Sequence, residues 1–389
     1  MNSLASVETH AAGYGRWMHW PDHEQHFLEF ARILSAVEAG GSTVHECFAT
    51  ADRIIPGDHE SWHREWRSAA EASRARAERA SAAGYIATAR SNWMRASNYF
   101  RAAEVFLGLA DARRESVLEQ MRQCSRRYLQ RLALPGEVVT IPNIDGGVME
   151  GYLLRASESP AKMPVVVCVG GWDDFKDEYL FKLPRHALDR GLSLLLVEFP
   201  KVSLAQRRKM FGRFDIASSI GNCVDYLIER GDVDQKKIAI YGEGPGASFA
   251  TEAAALDSRF SAAVCDGGML DLRRRAFAAQ QLFGVEGRDS IASYLNRLKY
   301  HSLARQIRCP VLVTIDESEW LDAIHASDEA RAKAAATDGL LRIFPASDIP
   351  APDVKSYSAP MSYEYVFDWI ANRLADAGDA VSQRIREHS

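Results

Sequence analysis

The residues most able to do chemistry stand at Gly242-Glu243-Gly244-Pro245-Gly246. They follow the apolar run Ile238 to Tyr241, suited to a buried strand, and precede Ala247 to Leu256, which reads as a helix. A strand that turns sharply through glycines into a helix lifts the middle residue of the turn onto a crest, where a serine would attack a carbonyl. Here the middle residue is Gly244. Glycine has no side chain to attack with, so acyl transfer lacks its nucleophile. Pro245 follows, and proline has no N–H. The residue after the nucleophile supplies one oxyanion donor in such a turn, so a second catalytic part is missing as well.

Other groups are weighed against plainer roles. Glu243, just before the empty position, is either a hydrogen-bonded support beneath the turn or, with its pKa raised in a dry pocket, a general acid or base. Asp266 ends the strand after the turn, near the rim where open α/β sheets bind ligands, and Gly267-Gly268 beside it also suits a turn. Cys265 has no base in view and reads as a core thiol. His301 is the C-terminal histidine to test as a proton shuttle, against a surface or packing role. Arg273-Arg274-Arg275 reads as a solvated helix start, or as a contact for an acidic ligand. His59-Glu60-Ser61-Trp62-His63 matches the zinc pattern H-E-x-x-H. It carries no third ligand at a recognisable spacing, and Trp62 and Trp66 explain the helix as a packing face, so no metal is assigned. His19, His23 and His26 read as exposed histidines near a terminus.

The elements that must position these groups fall into two sets. Residues 1–133 carry almost no strand signal: His23 to Ala39, Asp58 to Ala83, Ile86 to Gly108 and Ala110 to Leu132 are Ala-rich and amphipathic, which predicts a domain of four or five helices. Pro56-Gly57-Asp58 predicts a loop and an N-cap. From Leu134-Pro135-Gly136 onward, short β runs alternate with helices, predicting a second domain over 134–389. Glu137 to Ile141 and Gly147 to Arg155 suit an antiparallel pair. The apolar runs Pro164 to Val169, Leu192 to Val197, Lys237 to Tyr241, Ala262 to Cys265, Pro310 to Ile315 and Leu340 to Phe344 suit a parallel sheet buried on both faces.

The whole chain has 389 residues, 47% hydrophobic and 25% charged, with a net charge of −5, which suits a globular protein and excludes a basic nucleic-acid footprint. No apolar run approaches the roughly 20 residues needed to span a bilayer, and no secretory signal is read at the start. The six scattered cysteines suit reduced core thiols, and with them a cytoplasmic protein.

With these residues placed, the C-terminal part resembles an α/β-hydrolase, a mainly parallel eight-stranded sheet flanked by helices, with an N-terminal all-α helical domain. Arg95-Ala96-Ser97-Asn98-Tyr99-Phe100-Arg101-Ala102-Ala103-Glu104 is similar to the helical-domain signature of the FrsA-like group. That group includes dihydroxypseudooxynicotine hydrolase and fungal hydrolases that shorten polyketide precursors. Gly170-Gly171-Trp172-Asp173-Asp174-Phe175-Lys176-Asp177-Glu178 resembles the group's oxyanion-hole loop, with its pattern Gly-Gly-x-Asp-x-x-Lys-x-Glu. The resemblance implies a homodimer, and the preference of ligand sites for domain interfaces predicts a pocket between the domains, roofed by the aromatic-rich helices. Substrate contacts would then come from Gly170, Gly171, Trp172, Asp173, Gly244 and Tyr99, with Gly171 and Trp172 offering backbone N–H groups to an oxyanion.

The catalytic pattern departs from the group. Its acid is expected just after Ile315, where Asp316, Glu317 and Glu319 stand, and its histidine after Phe344, where Pro345 to Pro360 holds none. Asp348 and Asp353 are the acids of that stretch. The leading reading is therefore a non-serine enzyme of specialised metabolism, needing no cofactor. It would act on a polyketide-like or aromatic carbonyl compound by acid/base chemistry: cyclisation, dehydration, isomerisation or C–C cleavage. Glu243, Asp266, Glu319, Asp348 and His301 are the candidate groups. The other reading is a catalytically inactive pseudo-hydrolase that binds a ligand or serves as a scaffold. An engineered Gly244 would not explain the missing histidine too.

Overall fold

The computed structural model describes residues 20, 22–108, 110–143, 147–159, 161–171, 174–199, 216–268, 305–316, 339–344 and 360–387. Five helices come first: α1 (Glu24–Ser35), α2 (Val44–Ala51), α3 (His59–Ala82), α4 (Ile86–Glu104) and α5 (Ala112–Leu129). Asp58 caps α3 as expected, its carboxylate accepting from the Glu60 N–H at 3.0 Å. The short α2 is not anticipated by periodicity. It is held by a Thr43 cap on the Glu46 N–H and by the fully buried Cys47.

Two strands follow, β1 (Glu137–Pro142) and β2 (Val148–Leu154), paired antiparallel as expected. Then come β3 (Met163–Val169), α6 (Lys176–Lys182), α7 (Pro184–Leu188), β4 (Ser193–Val197), α8 (Ile216–Glu229), β5 (Val233–Glu243), α9 (Pro245–Leu256), β6 (Ala262–Asp266), β7 (Val311–Asp316), β8 (Gly339–Phe344) and α10 (Pro360–Glu387). The eight strands form one sheet in the order β1-β2-β4-β3-β5-β6-β7-β8. β2 runs antiparallel to β4, and every pair from β4 to β8 is parallel. This is the α/β-hydrolase architecture the sequence implies.

Side chains alternate across the sheet with the strand period of two. Val165, Val167, Val169, Ile238 and Ile240 enter one core with α8 and α9. Val166, Cys168, Ala239 and Tyr241 enter the other, which is continuous with the N-terminal helices, α6, α7 and α10. Trp62, Trp66, Tyr99 and Phe100 are fully buried in that second core. The aromatic helices are therefore packed interior, not an open roof, because large apolar rings gain most when removed from water.

Candidate active site

β5 ends at Glu243, and Gly244 follows with φ 56° and ψ −122°, a left-handed backbone that favours glycine. Its N–H donates to the Asp266 carbonyl at 2.7 Å, and its own carbonyl accepts from the Ala247 N–H at 3.0 Å as α9 begins. Both framing glycines are sterically required. A Cβ on Gly242 would lie 2.2 Å from the Gly246 carbonyl oxygen, and one on Gly246 would lie 2.3 Å from that of Val169. The elbow thus keeps its full backbone form and its contact with the end of β3, while its crest is bare.

The adjoining loop departs from expectation. The Gly171 N–H, expected to face an oxyanion, donates to Asp174 Oδ2 at 2.6 Å. A carboxylate three residues on closes this turn upon itself, so that donor is already engaged. Gly170 is pressed between Asp174 and Tyr179, where a Cβ would come within 2.6 Å of both. Trp172 and Asp173 lie outside the described residues.

Glu243 points to the face shared with α6 and α10. Lys182 Nζ lies 3.2 and 3.5 Å from its two oxygens, and the Tyr363 hydroxyl donates to Oε1 at 3.1 Å. Burial raises its carboxyl above the ordinary glutamate range, with Lys182 opposing and Asp266 and Asp174 adding to the rise. Asp266 accepts from the Tyr241 hydroxyl at 2.8 Å and from Thr314 Oγ1 at 2.6 Å, while Gly267 and Gly268 turn the chain at φ 101° and 95°. Both carboxylates sit beneath the elbow, each held by at least two side chains among the described residues. Tyr99 belongs to the helices: its hydroxyl donates to Glu46 at 2.8 Å and accepts from the Thr43 N–H at 3.1 Å. Glu319, Asp348, His301 and the Arg273-Arg274-Arg275 run lie outside the described residues.

The remaining motifs resolve into packing. His63 Nδ1 is 2.8 Å from the Ala103 carbonyl, His59 stacks on Phe106, and Glu60 pairs with Arg113. Among the described residues no group of His, Cys, Asp and Glu is arranged to hold a metal. His26 departs from the exposed reading, His23 is half-buried, and His19 lies outside the described residues. His26 is 1% exposed, wedged among Trp20, His59, Trp62 and Phe106. All six cysteines are buried and none is in a disulfide among the described residues; Cys265 contacts Thr251 Oγ1 at 3.2 Å within the core. A cleft of about 560 Å³ does lie between the helices and the sheet unit, lined in part by Arg90, Met94, Leu154 and Arg185. Leu154 pairs with Leu194 at the start of β4, so this cleft lies at the strand ends opposite those that lead to Gly244.

Sequence reading missed the partners of Glu243. Lys182 stands one helical turn after Glu178, and Tyr363 lies in α10, far along the chain. Glu178 and Arg101 were visible only as motif letters. Arg101 Nε lies 2.8 Å from Glu178 Oε1, and Arg32 also pairs with Glu178. The three side chains join α1 and α4 to α6.

Residues 26–308 match the Esterase FrsA-like family. The chain belongs to that family. As an FrsA-like protein it is 32% identical to the alpha/beta hydrolase xenA of Xenoacremonium sinensis, over 61% of this chain and 58% of that protein. It is also 32% identical to 20-hydroxy-prefusarin hydrolase FUS2 of Gibberella moniliformis, over 63% of this chain and 61% of that one. The FrsA-like chain thus spans about three fifths of the length of the curated relatives it matches. Its fold is similar to that of 2,6-dihydroxy-pseudo-oxynicotine hydrolase, with a TM-score of 0.71 and 18% identity over 87% of this chain and 95% of that one. No helix among the described residues is long and apolar enough to cross a membrane.

Proposed function

We propose that this FrsA-like protein is an enzyme of specialised metabolism that works on a polyketide-like or aromatic carbonyl compound by acid/base chemistry, without an acyl-enzyme. The observation that carries the reading is Gly244, held at φ 56° and ψ −122° in an intact elbow with no nucleophile on its crest. A bare crest leaves room where a substrate carbonyl would otherwise meet a side chain. Pro245 withholds the next N–H and Gly171 gives its own to Asp174, so this elbow is poorly furnished to stabilise a tetrahedral oxyanion. Proton transfer remains, and a positioned group contributes about 10²–10⁴-fold. Glu243 is the candidate acid or base, because burial raises its carboxyl above the ordinary glutamate range. Glu319, Asp348 and His301 are further candidates, and Asp266 supports Gly244 from the neighbouring strand.

That xenA and FUS2 carry hydrolase names supports an enzyme on this scaffold. Buried cysteines outside any disulfide support a reducing compartment, in keeping with a cytoplasmic protein acting as a homodimer on a small molecule. The test is to delete the gene in its host, isolate the compound that accumulates, and treat it with purified protein. Dehydration or cyclisation with loss of one water, isomerisation at constant mass, or cleavage into fragments whose masses add to the substrate would support the reading. Gain of water, together with fluorophosphonate labelling of the protein, would overturn it. The double engagement of Glu243 and of Asp266 favours one second reading, a binding protein, which would return the compound unaltered.

A further inference from the structure

The charged groups between the N-terminal helices and the elbow form one continuous row. Glu29 of α1 lies 3.7 Å from Arg32 and 3.0 Å from Arg101 of α4. Both arginines pair with Glu178 of α6, Arg101 at 2.8 Å. Lys182, one turn further along α6, stands between two carboxylates, 3.9 Å from Glu178 and 3.2 Å from Glu243. Three carboxylates thus alternate with three cations, and Arg101 and Glu178 are each only 3% exposed. Buried charges need partners, because an unpaired one is costly to remove from water. Lys182 is thus shared between Glu178 and Glu243, and lies nearer to Glu243.

We infer that Arg101 is a positioning residue for Glu243: by holding Glu178 it leaves Lys182 to the elbow carboxylate, so the N-terminal helices set the charge carried beneath the elbow. Without Arg101, Glu178 keeps Arg32, which also serves Glu29 and contacts Asp174 at 3.8 Å. Glu178 then draws Lys182 toward itself. Glu243 is left with the Tyr363 hydroxyl, and Asp266 and Asp174 repel its negative form. Other titratable neighbours are Tyr179 of α6, Tyr241 of β5 and Cys168 of β3, all neutral because burial raises them. Protonation follows from losing Lys182, the one cation among the described residues that touches Glu243.

The inference deepens the acid/base reading of Glu243, yet its test needs no turnover. Infrared spectra of the whole protein, recorded against pH, show the protonated carboxyl stretch, and the band absent from Glu243→Gln is assigned to Glu243. In Arg101→Met its titration midpoint should rise by about one pH unit or more, the effect of withdrawing an opposite charge. Arg101→Lys should restore most of the shift, and Lys182→Met should reproduce it. Arg32→Met, at a more exposed position on the same carboxylate, should move the midpoint the same way and stands in if Arg101→Met does not fold. Arg114→Met, which removes a different ion pair in the same helices (Arg114 with Glu104), should leave it in place. An unmoved midpoint in Arg101→Met or its stand-in, or an equal shift in Arg114→Met, overturns the inference. Loss of turnover in Glu243→Gln with no such shift would sustain the catalytic reading and sink this one.

Discussion

Arg101 of α4 and Glu178 of α6 meet at 2.8 Å, each 3% exposed, and so tie together the two sequence stretches that most resemble the FrsA-like pattern. Burial pushes the Glu178 carboxyl up, but Arg32, Arg101 and Lys182 together outweigh it and bring it down to about 2. Removing Arg101 weakens the pairing of two carboxylates at once, leaving the buried Glu178 with Arg32 and Lys182 and taking a cation from Glu29. Arg101→Met should cost about 3–5 kcal/mol in urea unfolding. The double variant Arg101→Met/Glu178→Leu should cost clearly less than the two single changes added together.

Glu178 also gives the fold an acid limit. Its carboxylate is favoured in the native state, so its stabilisation is complete above the unfolded value of about 4.5 and is lost as pH falls toward about 2. Thermal unfolding followed from pH 5 to pH 2 should show this loss. Glu178→Gln should start from a lower Tm and flatten the slope.

His26 acts in a separate and higher window. Burial, then the neighbouring His59 and His23, push it from 6.5 to about 4, so the native state keeps it neutral. Between pH 6.5 and 4 the unfolded chain takes up a proton that the native chain refuses, and stability falls on acidification by on the order of 3 kcal/mol. Denaturant midpoints in His26→Leu should lose most of that slope. An unchanged slope would place the titrating group elsewhere.

At the elbow, Gly246→Ala should be severe. Its Cβ would lie 2.3 Å from the Val169 carbonyl, a backbone atom that can move only if β3 moves. A loss of at least about 2 kcal/mol is expected. Gly231→Ala meets nothing within 4 Å and should change the unfolding midpoint little.

Restoring the side chain at the crest should not restore the hydrolase. Gly244→Ser regains a hydroxyl, but Pro245 still lacks an N–H and Gly171 still donates to Asp174. No histidine stands between Pro345 and Pro360 to take the serine proton. Treated with an activated aryl ester, this variant should show no acyl adduct by intact mass. A stable adduct would reveal a base that replaces the histidine.

What the sequence by itself determined was local. The elbow frame, the bare crest and the missing N–H follow from residue identity, and most helices and strands follow from apolar period and from glycine and proline sterics. The eight-residue α2 escaped because so short a helix is stabilised by packing and a cap more than by its own pattern. The tertiary structure decided who meets whom. It turned the Gly171 N–H onto Asp174, set Lys182 and Tyr363 on Glu243, buried His26, and put Arg101 against Glu178. Those pairings join residues distant in the chain, and the sheet order and the helices packed on it bring them together. A charge in the sequence names a need for a partner; only the packed fold supplies which one.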